Sequence, residues 1–198
     1  MAENTHVVHK FSSGFAYGLD TKQATSFANS LSSDLGYPVT VCNTAEEAVR
    51  QADVIFTQTP ASEQVLKLEW LKPNATIIAR YSACYTFQIY FFLTVATLSM
   101  YRSGSDQPTK NEIPADVMAK SKFIADLVRQ CSRVGELRTA IEQGTMKESD
   151  VYAEIGEVVN GTKKGRVPGD GIIVVDLTGT GAQDAAIGQV AWDALRNL

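Results

Sequence analysis

The chain has 198 residues, of which 44% are hydrophobic and 20% are charged, and its formal net charge is −4. This composition indicates a globular protein with an ordinary core, and the absence of basic clusters argues against nucleic acid as a partner. The three cysteines, Cys42, Cys84 and Cys131, are far apart, and two histidines are too few for a protein zinc site. We expect no bound metal. The first residues show no charged segment followed by an apolar run, which predicts no signal peptide and a reducing, cytoplasmic location.

Strands and helices are predicted to alternate along the chain. Strands are predicted at residues 15–19, 39–42, 54–57, 75–79 and 172–176, where short apolar runs are bounded by turn residues. Helices are predicted at residues 21–35, 44–49, 63–71, 135–143, 150–159 and 183–195. Residues 116–133 carry mixed signals around 123–127. This alternation is typical of βαβ units, so the expected fold is a doubly wound α/β domain with a parallel sheet.

Individual residues refine these predictions. Thr21 is the predicted N-cap of the helix at 21–35, and Glu47 lies at the capping-box position of the helix at 44–49. Glu154 and Glu157 are three residues apart on a predicted helix, a spacing that we interpret as a solvated face. Trp192 is interpreted as a packing residue.

A long apolar segment interrupts the pattern at residues 81–101, which are all uncharged. Its length alone is compatible with a membrane span, but its Ser, Thr, Gln and Tyr residues and its place between two halves of an α/β pattern argue against one. Removing residues 80–102 joins the strand at 75–79 directly to a Gly/Asp loop. We interpret the segment as an insertion and favour translated non-coding sequence over a lineage-specific insertion. Such a charge-free, β-prone stretch is an aggregation hazard.

Four sequence blocks outside this segment occur in a recognisable order. They are Ala-Asp-Val-Ile-Phe-Thr-Gln-Thr-Pro at 52–60, Gly-Ser-Asp with a following Pro, Lys and Glu at 104–112, Glu-Ile-Gly-Glu-Val-Val-Asn-Gly at 154–161, and Asp-Leu-Thr-Gly-Thr-Gly-Ala-Gln-Asp at 176–184. Together they resemble the ornithine cyclodeaminase/mu-crystallin family of NAD(P)-dependent enzymes. The resemblance extends over residues 15–195 outside the insertion.

The resemblance implies a Rossmann-type NAD(P)-binding domain at residues 15–175, after an irregular N-terminal segment at 1–14. It implies that residues 176–198 pack toward a substrate domain that has no counterpart in this sequence. No G-x-G-x-x-G or G-x-G-x-x-A motif is present, so the first βα turn of that fold is missing too. The expected fold is therefore an incomplete Rossmann-type doubly wound parallel sheet.

The resemblance also implies roles for individual residues. Asp106 corresponds to the family's catalytic acid/base, which moves the protons of the reaction. The residues expected to contact the cofactor are Asp20, Thr59, Ile77, Ile78, Ala79, Lys110 and Leu177. Leu177 replaces a serine that contacts NAD in the cyclodeaminase. The Asp20 carboxyl would bind the ribose 2′-hydroxyl and so favours NAD over NADP, which remains an alternative; Gly18 is an alternative position for the same family residue.

These residues also have interpretations that need no ligand. Asp106 lies in a Gly-Ser-Asp-Gln-Pro loop that is typical of an Asx turn. Thr59 precedes Pro60 and is equally suited to ending a strand. Asp20 is an acidic residue of the kind that the dipole favours at the start of a helix, and Lys110 is typical of an exposed lysine.

The function implied by the resemblance is that of an NAD(P)-dependent enzyme acting on a small amino or imino acid. The reaction would be conversion of ornithine to proline and ammonia, or reduction of a ketimine. Because the missing parts hold the pyrophosphate and the substrate, we expect the chain as written to be impaired. The alternative is a non-enzymatic binding module that forms a homodimer or pairs with a full-length paralogue. A membrane-anchored protein is a third interpretation, which depends only on residues 81–101.

Overall fold

The structure, a computed structural model, describes residues 9–59, 63–80, 90–93 and 111–196. Its strands are β1 (Gly14–Gly18), β2 (Val39–Val41), β3 (Val54–Thr57), β4 (Thr76–Arg80), β5 (Tyr90–Leu93), β6 (Lys122–Ala125), β7 (Ala153–Glu154) and β8 (Ile173–Leu177). Its helices are α1 (Thr21–Leu35), α2 (Ala45–Gln51), α3 (Ala115–Ala119), α4 (Val128–Val134), α5 (Glu136–Glu142), α6 (Ile155–Val159) and α7 (Gly181–Leu195). Two short 3-10 helices are Leu68–Trp70 and Glu148–Asp150.

The strands form one sheet in the order β2-β1-β5-β3-β4-β8-β6-β7. Neighbouring strands pair in parallel except at β5, which is antiparallel to both β1 and β3. Two antiparallel steps cancel, so β1 and β3 point in the same direction. The carboxyl ends of all described strands except β5 therefore lie along one side of the sheet, which we call the carboxyl edge. The predicted α/β fold with a parallel sheet is confirmed, whereas the antiparallel strand was not predicted.

Both faces of the sheet are covered by apolar packing. Side chains alternate between the faces along each strand, so Ile55 and Ile77 enter one apolar cluster and Phe56 enters the other. The second cluster includes Ala28 and Leu31 of α1. Full burial of each large apolar side chain contributes roughly 1.5–3 kcal/mol to folding. Coverage of both faces explains why the strands are continuous apolar runs.

The N-cap of α1 lies one residue before the predicted cap. Asp20 has the extended φ of −99° and ψ of 105° that an N-cap adopts, and its side chain accepts hydrogen bonds from the backbone N–H groups of Lys22 and Gln23. The prediction that Thr21 is the cap is therefore wrong, because Thr21 is already helical. The helix ends at Gly36, whose φ of 73° lies in the left-handed region.

Two predicted helices are wrong in extent because tertiary pairing overrides local propensity. Of residues 63–71, only Leu68–Trp70 forms a turn of 3-10 helix, and the Val65 N–H donates to Glu112 O at 3.0 Å. Residues 150–159 do not form one helix. Ala153 pairs with Ile124 in the sheet, so β7 precedes a shorter helix, α6.

The interpretation of Glu154 and Glu157 as a solvated face is also wrong. Glu154 Oε1 accepts a hydrogen bond from the Val128 N–H at 2.9 Å, which ties α6 to the start of α4. Glu157 Oε2 accepts from the Glu154 N–H at 3.0 Å and completes a capping box. Both side chains are half-buried. They are structural caps.

β5 lies within the segment interpreted as an insertion, and the other residues of 81–101 lie outside the described residues. The backbone of β5 pairs with residues 15–18 of β1 and 55–56 of β3. In the usual order 3-2-1-4-5-6 of a doubly wound sheet, this position belongs to the first, parallel strand. In the part of the chain that the structure describes, no helix is long and apolar enough to cross a membrane.

The ends of the chain bear on the predicted domain boundaries. Residues 9–13 contain no helix or strand, and residues 1–8 lie outside the described residues. The boundary predicted after residue 175 falls inside β8. In α7, Trp192 is 61% exposed, and Val190 and Leu195 are also exposed, so the interpretation of Trp192 as a packing residue is wrong for the described residues. Packing of 176–198 toward a substrate domain stays a prediction.

The amino ends of the parallel strands lie along the opposite side of the sheet, which we call the amino edge. Lys122, the first residue of β6, binds a neighbouring turn there. Its Nζ donates to Asp170 Oδ2 at 2.8 Å and to Gly165 O at 2.7 Å. The same Nζ lies 4.2 Å from the centroid of the Tyr152 ring. The hydrogen bond from Lys122 is the main reason why the pKa of the Asp170 carboxyl is lowered. These contacts tie the 165–170 turn to the start of β6.

We expect the Asp170→Asn variant to be less stable than the wild type at neutral pH and equally stable in strong acid. Because the folded pKa of Asp170 is lowered, its contribution is present above the unfolded pKa of about 3.9 and is lost as the pH falls through the folded pKa. Urea denaturation between about pH 7 and about pH 2 measures the difference. Asp34→Asn, at an exposed site on α1, is the control, and a similar pH profile for both variants would contradict the prediction.

Candidate functional site

The turns that follow β3 and β8 lie near each other at the carboxyl edge, because only β4 separates the two strands. Thr57 ends β3 and Thr59 lies in the first turn, and both are buried. The second contains Thr178, also buried, and Gly179, whose φ of 87° favours glycine. In open α/β sheets, ligands bind in the crevice outside the carboxyl ends of the strands. These turns are therefore the candidate site.

The structure brings three of the predicted cofactor residues together. Thr59 follows β3, Ala79 lies near the end of β4, and Leu177 ends β8. Ile77 and Ala79 are buried in the core, and Ile78 points to the opposite face of β4 and is half-buried. A ligand at this edge would therefore meet β4 mainly through its backbone. Asp106 and Lys110 lie outside the described residues.

Asp20 lies apart from these residues at the end of β1, and its side chain is occupied as a helix cap. Its Oδ1 accepts from Lys22 N at 2.9 Å and from Gln23 N at 3.1 Å, and its Oδ2 accepts from Gln23 Nε2 at 3.2 Å. The order β2-β1-β5-β3-β4-β8 matches the usual order 3-2-1-4-5-6 position by position, so β1 corresponds to strand 2 of the usual numbering. In that order, the ribose-binding acid follows the second strand. The position of Asp20 fits the predicted role, which stays a prediction.

Asp126, which sequence reasoning missed, organises the turn after β8. Its carboxylate accepts from the Thr178 hydroxyl at 2.8 Å, from Gly179 N at 2.7 Å and from Leu127 N at 2.7 Å. The Cys131 thiol also donates to Asp126 Oδ1, at 3.2 Å. Burial, with the nearby Asp176 and Asp126 carboxylates, raises the pKa of that thiol well above its usual range. Asp126 thus clamps the β8 turn to the end of β6.

Among the described residues, four acidic side chains are buried at the carboxyl edge: Glu112, Asp126, Glu136 and Asp176. Each accepts at least one hydrogen bond from a backbone N–H group of a neighbouring segment, which offsets part of the cost of burying the carboxyl group. Within the described residues, no three His, Cys, Asp or Glu side chains are grouped to hold a metal ion. For Asp126 and Asp176, the signal in the sequence is an acidic residue at the end of an apolar strand.

An open depression of about 350 Å³ lies elsewhere, at the amino edge, where Asn74 and residues 166–170 line it. Arg166 there donates to Gly171 O at 3.1 Å, to Ala75 O at 3.2 Å and to Thr76 Oγ1 at 2.8 Å. The guanidinium is thus used to hold the turn. This depression is on the opposite side of the sheet from the strand ends where ligands bind.

Gly135 allows α5 to approach β8 closely. Asp176 Oδ2 accepts from the Leu137 N–H in the first turn of α5, at 3.3 Å. A Cβ atom on Gly135 would collide with Asp176 Oδ2 and would lie 2.7 Å from the Cα atom of Cys131. The close contact between Asp176 and α5 therefore requires glycine at this position.

A doubly wound α/β domain with such turns at its carboxyl edge is a dinucleotide-binding type of domain. A profile of the Ornithine cyclodeaminase/mu-crystallin family matches residues 6–88 and 98–197. The chain therefore belongs to this family, as the sequence blocks predicted. The match is interrupted between residues 88 and 98, inside the apolar segment that we interpret as an insertion.

Several named proteins are similar to this chain in sequence or in structure. The chain is 32% identical over 178 residues to the alanine dehydrogenase of Archaeoglobus fulgidus, an alignment that covers 90% of this chain and 47% of that protein. It is 32% identical over 144 residues to the ketimine reductase mu-crystallin of Rattus norvegicus, covering 72% of this chain and 35% of that protein. A solved archaeal alanine dehydrogenase dimer with bound NAD matches with a TM-score of 0.80 and 30% identity, over 99% of this chain and 54% of that one. The chain spans about half the length of the curated relatives it matches.

We expect Asp126→Ala to destabilise the domain by about 3 kcal/mol, because removing the carboxylate leaves buried donors without an acceptor at about 1–3 kcal/mol each. Thr178→Val removes one of these donors and is expected to cost about 1 kcal/mol. Urea denaturation of both variants measures the two losses. Equal losses for the two variants would show that Asp126 does not serve as the shared acceptor.

We expect Gly135→Ala to lower stability by about 1–3 kcal/mol, because the added methyl group overlaps Asp176 and Cys131. Gly156→Ala is the matched control, since a Cβ at Gly156 meets no atom within 4 Å. Alanine should be neutral or stabilising there, because Gly156 lies in α6. Thermal denaturation of the pair tests the prediction, which fails if both variants behave alike.

Proposed function

We propose that this chain forms most of the cofactor-binding domain of an NAD-dependent oxidoreductase that acts on α-amino or α-imino acids. The observation that carries the proposal is the meeting of the β3, β4 and β8 ends at one edge in a member of this family. Relatives named alanine dehydrogenase and ketimine reductase act on this class of small molecule by name. The alternative family reaction, conversion of ornithine to proline and ammonia, uses the same site.

The described residues fit the nicotinamide half of a dinucleotide. The Thr59 turn and the Leu177–Gly179 turn flank the end of β4, where Ala79 is small enough for close backbone approach. Leu177 in place of a serine removes one polar contact on that side. The bound cofactor would supply hydride transfer at the α-carbon of the substrate. The residues of this chain would orient it and exclude water.

The proposed role of Asp106 is to move a proton. Reduction of an imine places a hydride on carbon and requires a proton on nitrogen, which a nearby carboxyl group supplies; oxidation of an amine reverses both transfers. Lys110, four residues further along the sequence, is proposed to contact the cofactor. In this scheme Asp20 binds the ribose 2′-hydroxyl and selects NAD over NADP, because its carboxylate would repel a 2′-phosphate.

We also propose that the domain binds its cofactor weakly. The sequence has no G-x-G-x-x-G motif to place backbone N–H groups against the pyrophosphate, so that part of the binding energy is lacking. The exposed apolar residues of α7 support packing of residues 176–198 against a further domain or a second chain. A cytoplasmic location and a homodimer fit this scheme.

A non-enzymatic binding module is the second candidate function. β5 favours it, because an antiparallel strand occupies the sheet position that the first parallel strand holds in the usual order. In this case the domain keeps the family fold and pairs with a homodimer partner or a full-length paralogue without turning over substrate.

We expect the chain to bind NADH and to oxidise it in the presence of pyruvate with ammonium or of Δ1-pyrroline-2-carboxylate. Asp106→Asn should lower turnover by at least about 100-fold, because it removes the proton donor, and should leave NADH affinity unchanged. Fluorescence titration and absorbance assays measure the two quantities. Asp116→Asn, at an exposed site in α3, is the control. NADH binding without turnover would support the binding-module function, and absence of NADH binding would contradict the proposal.

A further inference from the structure

Glu112 connects three segments that are far apart in the sequence. Its side chain is fully buried, and Oε1 accepts a hydrogen bond from the backbone N–H of Thr59. Its backbone oxygen accepts from the Val65 N–H at 3.0 Å. Glu112 therefore holds the turn after β3 from outside the sheet.

Glu136 in turn holds Glu112. The Glu136 side chain, at the start of α5, is also fully buried. Its carboxyl oxygens accept from Glu112 N at 3.1 Å and 3.2 Å, and from Ile113 N at 3.1 Å. The first turn of α5 is itself tied to β8 through Leu137 and Asp176. A continuous set of hydrogen bonds thus connects β8, α5, Glu112 and the Thr59 turn.

Stability alone does not account for two buried carboxyl groups in this place. Burying such groups costs several kcal/mol each before hydrogen bonds offset it, and apolar replacements of similar volume are often neutral or stabilising. Hydrogen bonds differ from apolar contacts in fixing the direction and distance of the group they hold. The group held here is a backbone amide at the carboxyl edge, where positions must be defined for a ligand to bind.

We propose that Glu112 is a positioning residue that fixes the Thr59 turn for the cofactor, and that Glu136 fixes Glu112. This inference rests on the proposed function. In the sequence, Glu112 follows the cofactor-contacting candidate Lys110 by two residues and the catalytic candidate Asp106 by six. Glu112 touches neither substrate nor cofactor in this scheme. It acts through Thr59.

Two conservative variants of Glu112 distinguish the effect of side-chain length from the effect of the negative charge. Glu112→Gln keeps an oxygen at the same distance from the Thr59 N–H, whereas Glu112→Asp keeps the carboxyl group but withdraws it by one methylene. We expect Glu112→Asp to weaken NADH binding by about tenfold, as for the loss of one buried hydrogen bond, and Glu112→Gln to bind within about twofold of the wild type. Hydrogen exchange of the peptide that contains Thr59 should be faster in Glu112→Asp alone.

Two controls distinguish positioning from a general loss of stability. Glu142→Gln makes the same chemical change as Glu112→Gln at an exposed site of α5. Lys122→Met weakens the amino edge and should lower the melting temperature without changing NADH affinity. Unchanged NADH affinity in Glu112→Asp, or an equal loss in Lys122→Met, would overturn the inference while the proposed function stands. A wild-type chain that does not bind NADH would overturn the proposed function and this inference with it.

Discussion

Parallel pairing of β3, β4, β8 and β6 is the constraint on which the candidate site depends. Since parallel strands must enter the sheet from the same side, their carboxyl ends meet at one edge, and every turn that leaves them is brought into one region. Thr59, Ala79 and Leu177 are distant in the sequence, and this pairing alone makes them neighbours. At the amino edge, Lys122 and Arg166 instead form hydrogen bonds that attach the turn before β8 to the starts of β6 and β4.

Buried carboxyl groups determine the shape of the carboxyl edge. Asp126 holds the turn after β8, and Glu112 holds the turn after β3. In both cases a side-chain oxygen accepts from a backbone N–H, which offsets the cost of burying either group alone. The two turns are therefore held by defined hydrogen bonds.

The central position of the sheet connects the fold to the question of activity. In the usual order, a parallel strand and its glycine-rich turn lie between the strands that correspond to β1 and β3. Here β5 lies there and runs in the opposite direction, and no glycine-rich motif is present. The turns after β3 and β8 are formed without that strand, because they leave other strands and are held by Glu112 and Asp126. The chain thus combines the family fold with an altered strand at the centre of the sheet.

Much of the fold followed from local patterns. The helix at 21–35 and the strand at 54–57 were predicted with the bounds that the structure has, because apolar spacing and burial agree there. Residues 63–71 and 150–159 were mispredicted, because hydrogen bonds to Glu112 and to β6 outweigh weak helix propensity. By itself, the sequence determined the strand and helix alternation, the family, and the candidate residues Thr59 and Leu177. Only the tertiary structure decided that Asp126, Glu112 and Glu136 hold the edge, since their contacts join residues that lie far apart in the sequence.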